Sequence, residues 1–334
     1  MKVNVLTDMF LNSKKINPEQ IQKILFITLS NIGDAVLTTP CLDLLRRFFP
    51  HAHITVMVGP RAAEVFEDHP HINRLILYDK YAKFRDKLSL ILHLKSKKYD
   101  LVVDLRNTLI PLLIQPRYST PLLRKKVEGH AVKRHLERLK SIGIAGKCGF
   151  VLPSREEDEK MADELLASKG WDKNSRLVVI NPSAANRLKR WDLVKFKTLA
   201  DQLKRIKGLL IAIAGPKSDE KEFLDIFPES DWMNLTGRLT LMQLKSLLAR
   251  AALFITNDSG PMHMAVAVQT PVLALFGPTD PQIYGPLGSQ HRVVRLEDLP
   301  CSPCMKGFCR IETHDCMKKL EVQKVLETAC QMLS

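Results

Sequence analysis

The sequence predicts two doubly wound α/β domains in tandem. Short, near-continuous apolar runs bounded by Gly, Pro or charge alternate with helix-length amphipathic stretches along most of the 334 residues. That is the pattern of parallel strands covered by helices on both faces. The runs fall into two series separated by a helical segment. The length, with 45% hydrophobic and 26% charged residues, supports two cores.

In the first series KILFITL (23–29), HITVMVG (53–59), RLILY (74–78) and DLVVDL (100–105) read as buried parallel strands. In the second, RLVVIN (176–181), LLIAIAG (209–215), LFITN (253–257) and PVLALFG (271–277) do the same. Between them PSREEDEKMADELLASKGW (153–171) has an acidic start, an alanine-rich middle and a Lys-Gly end, which predicts a capped surface helix ahead of a linker. The expected boundaries are therefore 1–155 for the first domain, 156–173 for a linker helix and 174–334 for the second domain. Sheets of this kind offer their sites at the carboxyl ends of the strands, so a cleft between the domains is the expected place for chemistry. Residues 1–20 precede the first strand and receive no element.

Lys+Arg minus Asp+Glu is 50 − 36 = +14, which favours anionic partners: nucleic acid, a phosphorylated glycolipid or a membrane surface. Between Arg117 and Lys140, eight basic residues (Arg117, Arg124, Lys125, Lys126, Lys133, Arg134, Arg138, Lys140) stand against Glu128 and Glu137. Such a run is either a solvated face or an anion-docking surface. RNA binding is disfavoured, because aromatic content is only 6% and no stacking motif is present. With no leader-like core at the start and no apolar run of the roughly 18 residues a membrane helix needs, a cytoplasmic protein is expected.

Several nucleotide chemistries are excluded. The loop SNIGDAVLTTP (30–40) holds one glycine where a dinucleotide fingerprint needs three, and no P-loop motif occurs. No Asp-x-Asp is present to hold a metal-bridged sugar nucleotide. A bound diphosphate would have to be held by protein groups.

FITNDSGPMHMAVAV (254–268) supplies such groups. Pro261 suits the first turn of a helix, and the main-chain N–H groups of Ser259, Gly260, Met262 and His263 then open toward an anion, assisted by the helix dipole. Gly260 permits close approach, the Ser259 hydroxyl adds a donor, and Asp258 suits sugar hydroxyls. The alternative is that Asp258 or Ser259 caps the helix and His263 packs in the core. NPSAANRLKRW (181–191) places Lys189 and Arg190 after a strand, to close over phosphate or to form a solvated basic loop. Asp34, where the first strand gives way to a helix, is a helix-end carboxylate or, opposite a bound sugar, a general base.

Seven cysteines, four of them clustered in CSPCMKGFCRIETHDC, argue for reduced thiols or a metal. The spacing of Cys301, Cys304, Cys309 and Cys316 suits a structural Zn or Fe site, with metal-free thiols as the alternative.

Four segments in this order, LSNIGDAVLTTP, INPSAANRLKRWDLVKFKTLADQL, AGPKSDE and NLTGRLTLMQLKSLLARAALFITNDSGPMHMAVAVQTPVLALFGPTDP, resemble glycosyltransferase family 9. These are the heptosyltransferases of lipopolysaccharide core assembly, and the likeness runs from about Lys23 to Cys330. The resemblance implies a GT-B architecture of two Rossmann-like domains and an inverting, metal-independent transferase with no cofactor required for catalysis. It implies an ADP-heptose donor on the second domain and, on the first, an anionic lipid A–Kdo or core oligosaccharide acceptor presented at the inner face of the plasma membrane. Asp34 then takes the position of the catalytic base, with Gly33 beside it among the substrate-binding residues. Lys189 takes that of the diphosphate-binding lysine, and Asp258, Ser259, Gly260 and His263 that of the donor loop. Glu220 falls near the ribose-binding glutamate and Leu239 where adenine is contacted. Ser183 stands where many members have glycine. Another nucleotide sugar as donor, or a nucleotide-sugar epimerase on the same scaffold, remains open; an epimerase would turn over its substrate without an acceptor.

Overall fold

A computed structural model describes residues 16–122, 127–172 and 175–334. The chain divides into two compact units between Pro153 and Ser154.

The first unit carries β1 (Lys23–Ile27), α1 (Ile32–Val36), α2 (Thr39–Phe48), β2 (His53–Val58), β3 (Arg74–Leu77), α3 (Phe84–Ser96), β4 (Leu101–Asp104), α4 (Ile110–Ile114), β5 (Tyr118–Ser119) and α5 (Ala131–Lys140). Its sheet is five-stranded in the order β3-β2-β1-β4-β5, and all pairs are parallel. β1 is central, which explains why four of its five residues are fully buried apolar side chains.

The second unit carries α6 (Glu156–Ser168), β6 (Arg176–Asn181), α7 (Leu193–Lys204), β7 (Leu209–Ile213), α8 (Glu220–Ile226), β8 (Met233–Asn234), α9 (Leu241–Leu248), β9 (Ala251–Asn257), α10 (Gly260–Ala267), β10 (Val272–Phe276), α11 (Pro281–Tyr284), β11 (Arg292–Arg295), α12 (Asp315–Lys318) and α13 (Val322–Leu333). The order β11-β10-β9-β6-β7-β8 is again parallel throughout. Val178, Ile180, Ile213, Leu253, Ile255, Leu273 and Leu275 present one face of this sheet to Trp191, Phe196, Leu199, Phe223 and Phe227.

All eight strands expected from the apolar runs form. β5, β8 and β11 add to them: two are only two residues long, and β11 is a charged, half-exposed edge. The helix expected as a linker, α6, lies in the second unit, where Glu159 bonds Lys245 Nζ at 2.6 Å and Arg250 Nη1 at 2.6 Å. Among the described residues no helix is long and apolar enough to cross a membrane.

Candidate functional site

Parallel strands share one direction, so the loops that follow β6 to β10 collect at one edge of the second sheet. β6 and β9 are neighbours in that sheet, and their loops meet. Asn257, the last residue of β9, accepts a bond from Trp191 N at 3.0 Å and donates to Pro182 O at 2.7 Å. One buried amide thereby pins both ends of the 182–191 loop. Within it, Asn186 caps the single turn Arg187–Lys189 by accepting from Leu188 N at 3.0 Å. That turn aims Lys189 Nζ at Asp258 Oδ2, 2.7 Å away. Asp258 is buried, while Lys189 keeps about a third of its side chain exposed.

Ser183 is buried too. Its amide donates to Asn181 Oδ1 at 2.8 Å and its hydroxyl to Asp219 Oδ2 at 2.7 Å, and Arg190 Nη2 closes on the same carboxylate at 3.1 Å. Arg190 is therefore committed to Asp219, and Lys189 alone of the expected cationic pair reaches Asp258. Asp219, absent from the sequence-derived set, is the residue that organises this corner. Its bonds to Ser183 and Arg190 span 36 and 29 residues, a separation no local motif reveals.

The helix after β9 opens without a side-chain cap. Ser259 occupies the cap position in extended backbone, with Pro261 in the first turn, but its hydroxyl shares a 3.1 Å bond with Thr256 Oγ1. Asp258 likewise turns to Lys189, so capping by either residue is set aside. What remains at the helix start is a run of amides and the positive end of the dipole beside Gly260, an arrangement suited to an anion. His263 is buried in the first turn of the same helix.

On the other side of β6, the loop after β7 brings Glu220 to the start of α8, where Lys217 Nζ lies 2.6 Å from Glu220 Oε2. Gly237 lies against this pair: its N–H donates to Gly215 O at 2.9 Å, and its φ of 73° belongs to the left-handed region. A Cβ there would stand 2.8 Å from Lys217 Cδ and 3.3 Å from Glu220 Oε1. The loop continues to half-buried Leu239. Ser183, Lys189, Glu220, Leu239 and Asp258 to His263 thus share one edge of one sheet.

In the first unit Asp34 sits in the first turn of α1 and is half-buried, with Gly33 half-buried beside it. Asn31 Nδ2 donates to Asp34 Oδ2 at 2.9 Å, which fixes the direction of the carboxylate. Of the basic run, Arg124, Lys125 and Lys126 lie outside the described residues. Arg138 turns inward, donating to Asn107 Oδ1 and, at 2.8 Å, to Pro121 O. It is a tie between α5 and the loops after β4 and β5.

Cys301, Cys304, Cys309 and Cys316 line one small pocket of about 20 Å³, with Leu188, Phe308 and His314. Among the described residues, no group of three or more His, Cys, Asp or Glu side chains is arranged to hold a metal ion. Burial, reinforced by the other three thiols, pushes the Cys316 thiol up to about 11. The segment also braces the loop that carries Lys189. His314 Nε2 donates to Leu188 O at 2.7 Å, in the turn that carries Lys189. Trp191 Nε1 donates to Leu320 O at 3.0 Å, and Met317 and Cys316 press on Gly277 so closely that a Cβ there would meet Met317 Sδ at 2.5 Å.

Residues 113–314 match the profile of Glycosyltransferase family 9 (heptosyltransferase). The chain is 30% identical over 285 residues to lipopolysaccharide heptosyltransferase 3 of Escherichia coli K12, covering 76% of this chain and 82% of that one. Among solved structures, a family 9 glycosyl transferase from Veillonella parvula superposes with a TM-score of 0.80 at 26% identity, over 93% of this chain and 97% of that one. The E. coli ADP-heptose LPS heptosyltransferase II gives a TM-score of 0.74 at 23% identity, over 93% and 98%.

Proposed function

This chain belongs to glycosyltransferase family 9, and we propose that it moves a heptose from ADP-heptose to the Kdo or heptose of a lipopolysaccharide inner core, inverting the anomeric configuration. The pairing of Lys189 Nζ with Asp258 Oδ2 at 2.7 Å, beside the uncapped start of α10, carries the reading. What supports it is that an ammonium, a row of amides and a carboxylate stand together at one helix start, the groups that a pyrophosphate and sugar hydroxyls would call for.

In this scheme the donor lies along the edge from α10 to Leu239. Leu239 meets the adenine, Glu220 the ribose, and Ser183 and Gly260 the approach to the phosphates, with His263 behind them. Asp34 accepts the proton of an acceptor hydroxyl. The oxygen forms its bond to the anomeric carbon from the face opposite the nucleotide, the bond to the phosphate oxygen breaks, and ADP leaves with the electron pair. Lys189 and the α10 amides meet the charge that develops on it, worth about 10²–10³ in rate for one such donor. The acceptor is an anionic lipid A–Kdo or core oligosaccharide, and the reaction takes place on the cytoplasmic side of the membrane that holds it.

The test is release of ADP from ADP-heptose with a lipid A–Kdo acceptor, run beside other nucleotide sugars. Acceptor-dependent release specific to ADP-heptose is expected, and conversion of the nucleotide sugar to its epimer without acceptor, with ADP still attached, would overturn the reading in favour of an epimerase. Asp34→Asn should lower kcat by about 10²–10⁴, the usual contribution of a general base, with ADP affinity unchanged. Loss of ADP affinity in step would reduce Asp34 to a structural role.

A further inference from the structure

Every large apolar side chain that the first unit exposes, among the described residues, falls between Leu77 and Leu113. Phe84, Leu88 and Leu92 follow one another at four-residue spacing along α3 and are 79%, 48% and 59% exposed. Residues at that spacing share one face of a helix. Tyr81 precedes them at 82%, and Leu109, Leu112 and Leu113 add a second cluster on the neighbouring α4 and its approach. A single exposed leucine needs no explanation, but a contiguous group of this kind marks an interaction surface.

The charge around this group selects its partner. From Lys80 to Lys98 there are seven basic residues (Lys80, Lys83, Arg85, Lys87, Lys95, Lys97, Lys98) and one acidic, Asp86. An apolar stripe bordered by lysines is the make-up of a helix that lies in the interface of an anionic bilayer, its apolar face among the acyl chains and its ammonium groups at the headgroups.

The loops are held ready for this. Asp104, buried at the end of β4, accepts from Arg106 N at 2.8 Å, Thr108 N at 2.6 Å and Thr108 Oγ1 at 2.8 Å, fixing the turn that leads to Leu109. The Arg106 guanidinium lies 5.4 Å from the centre of the Tyr78 ring, which ties the loop after β4 to the loop after β3. Both loops leave the carboxyl ends of strands in the sheet whose central strand, β1, leads to Asp34. Tyr81, Phe84 and Leu109 therefore lie toward the same end of the sheet as the proposed base, and Leu88 and Leu92 continue the stripe along α3.

We propose that the α3–α4 surface, with Tyr81, Phe84, Leu88, Leu92, Leu109 and Leu113 at its centre, docks the protein on an anionic phospholipid bilayer. Docking there presents the end of the sheet that bears Asp34 to a lipid-anchored acceptor. That last step rests on the transferase reading; the docking surface stands without it.

The test uses the full chain and vesicles of equal parts phosphatidylglycerol and phosphatidylcholine, with pure phosphatidylcholine as the comparison. Sedimentation should show at least tenfold stronger partition to the anionic vesicles, falling as salt rises. Phe84→Ser/Leu88→Ser/Leu92→Ser should weaken it tenfold or more, while the melting temperature and transfer to a delipidated, water-soluble acceptor stay unchanged. Lys83→Glu/Arg85→Glu/Lys87→Glu should remove the preference for anionic lipid. Equal partition of the triple serine variant and the parent protein would overturn the proposal. So would light scattering that shows a dimer abolished by the same variant, since a second copy would then be the occupant. Vesicle binding without any transfer to the soluble acceptor would uphold the surface and sink only the acceptor assignment.

Discussion

Lys189 meets a carboxylate in this structure where a phosphate is proposed, so a diphosphate must exchange one partner for another. Lys189→Ala should therefore weaken ADP binding by about tenfold, or 1.4 kcal/mol, and an unchanged dissociation constant by calorimetry would remove it from the site. The substitution also leaves Asp258 buried beside no ammonium, so a loss of about 1–3 kcal/mol in stability should accompany it. Gly237→Ala asks a Cβ to sit at φ 73° within 2.8 Å of Lys217. A lowered melting temperature and weaker adenosine binding are expected, because the relief must come from Lys217 and its partner Glu220. The sequence showed these residues unevenly. Asp258 to His263 were legible because a helix start, a proline and a glycine are local signals. Asn257 and Asp219 were not, because each acts on partners at least 29 residues away.

At the level of elements, α6 was legible as a helix with an acidic first turn, whereas its attachment was not. Burial works to raise the Glu159 carboxyl, yet hydrogen bonds from Lys245, Arg250, Ser246 and Ser154 carry it down to about 2. A carboxylate depressed in this way stabilises the fold fully above its ordinary value near 4.5 and loses that contribution as pH falls toward 2. Glu159→Gln should flatten acid unfolding of the second unit in that window, read by circular dichroism across pH. The cysteine segment taught a different lesson. Its spacing suggested a metal, and no spacing rule revealed that His314 holds the Leu188 carbonyl across 126 residues. His314→Ala should raise KM for the sugar nucleotide severalfold with kcat preserved, and an equal fall in kcat would point to a direct part in the chemistry.

For the molecule as a whole, the alternation of apolar runs and amphipathic stretches made both sheets legible. The edge strands β5, β8 and β11 escaped, since short or half-exposed strands carry little apolar signal. Each unit also carries its own response to acid. In the first, burial lowers the His69 imidazole to about 4, while its Nε2 donates to Val151 O at 3.0 Å. A histidine kept neutral by the fold costs stability as pH drops from 6.5 toward 4, because only the unfolded chain takes up the proton. In the second unit burial lowers His291 as well. His69→Gln should therefore make unfolding of the first unit less pH-dependent between 6.5 and 4, measured by hydrogen exchange, and leave the second unit's response intact. The indole of Trp191 reaches forward to the carbonyl of Leu320, and Lys195 Nζ to the same oxygen at 2.9 Å. On a translating ribosome, the loop of Lys189 must then wait for Leu320 to be made and to leave the exit tunnel. That loop thus depends for its final form on a carbonyl 129 residues beyond Trp191.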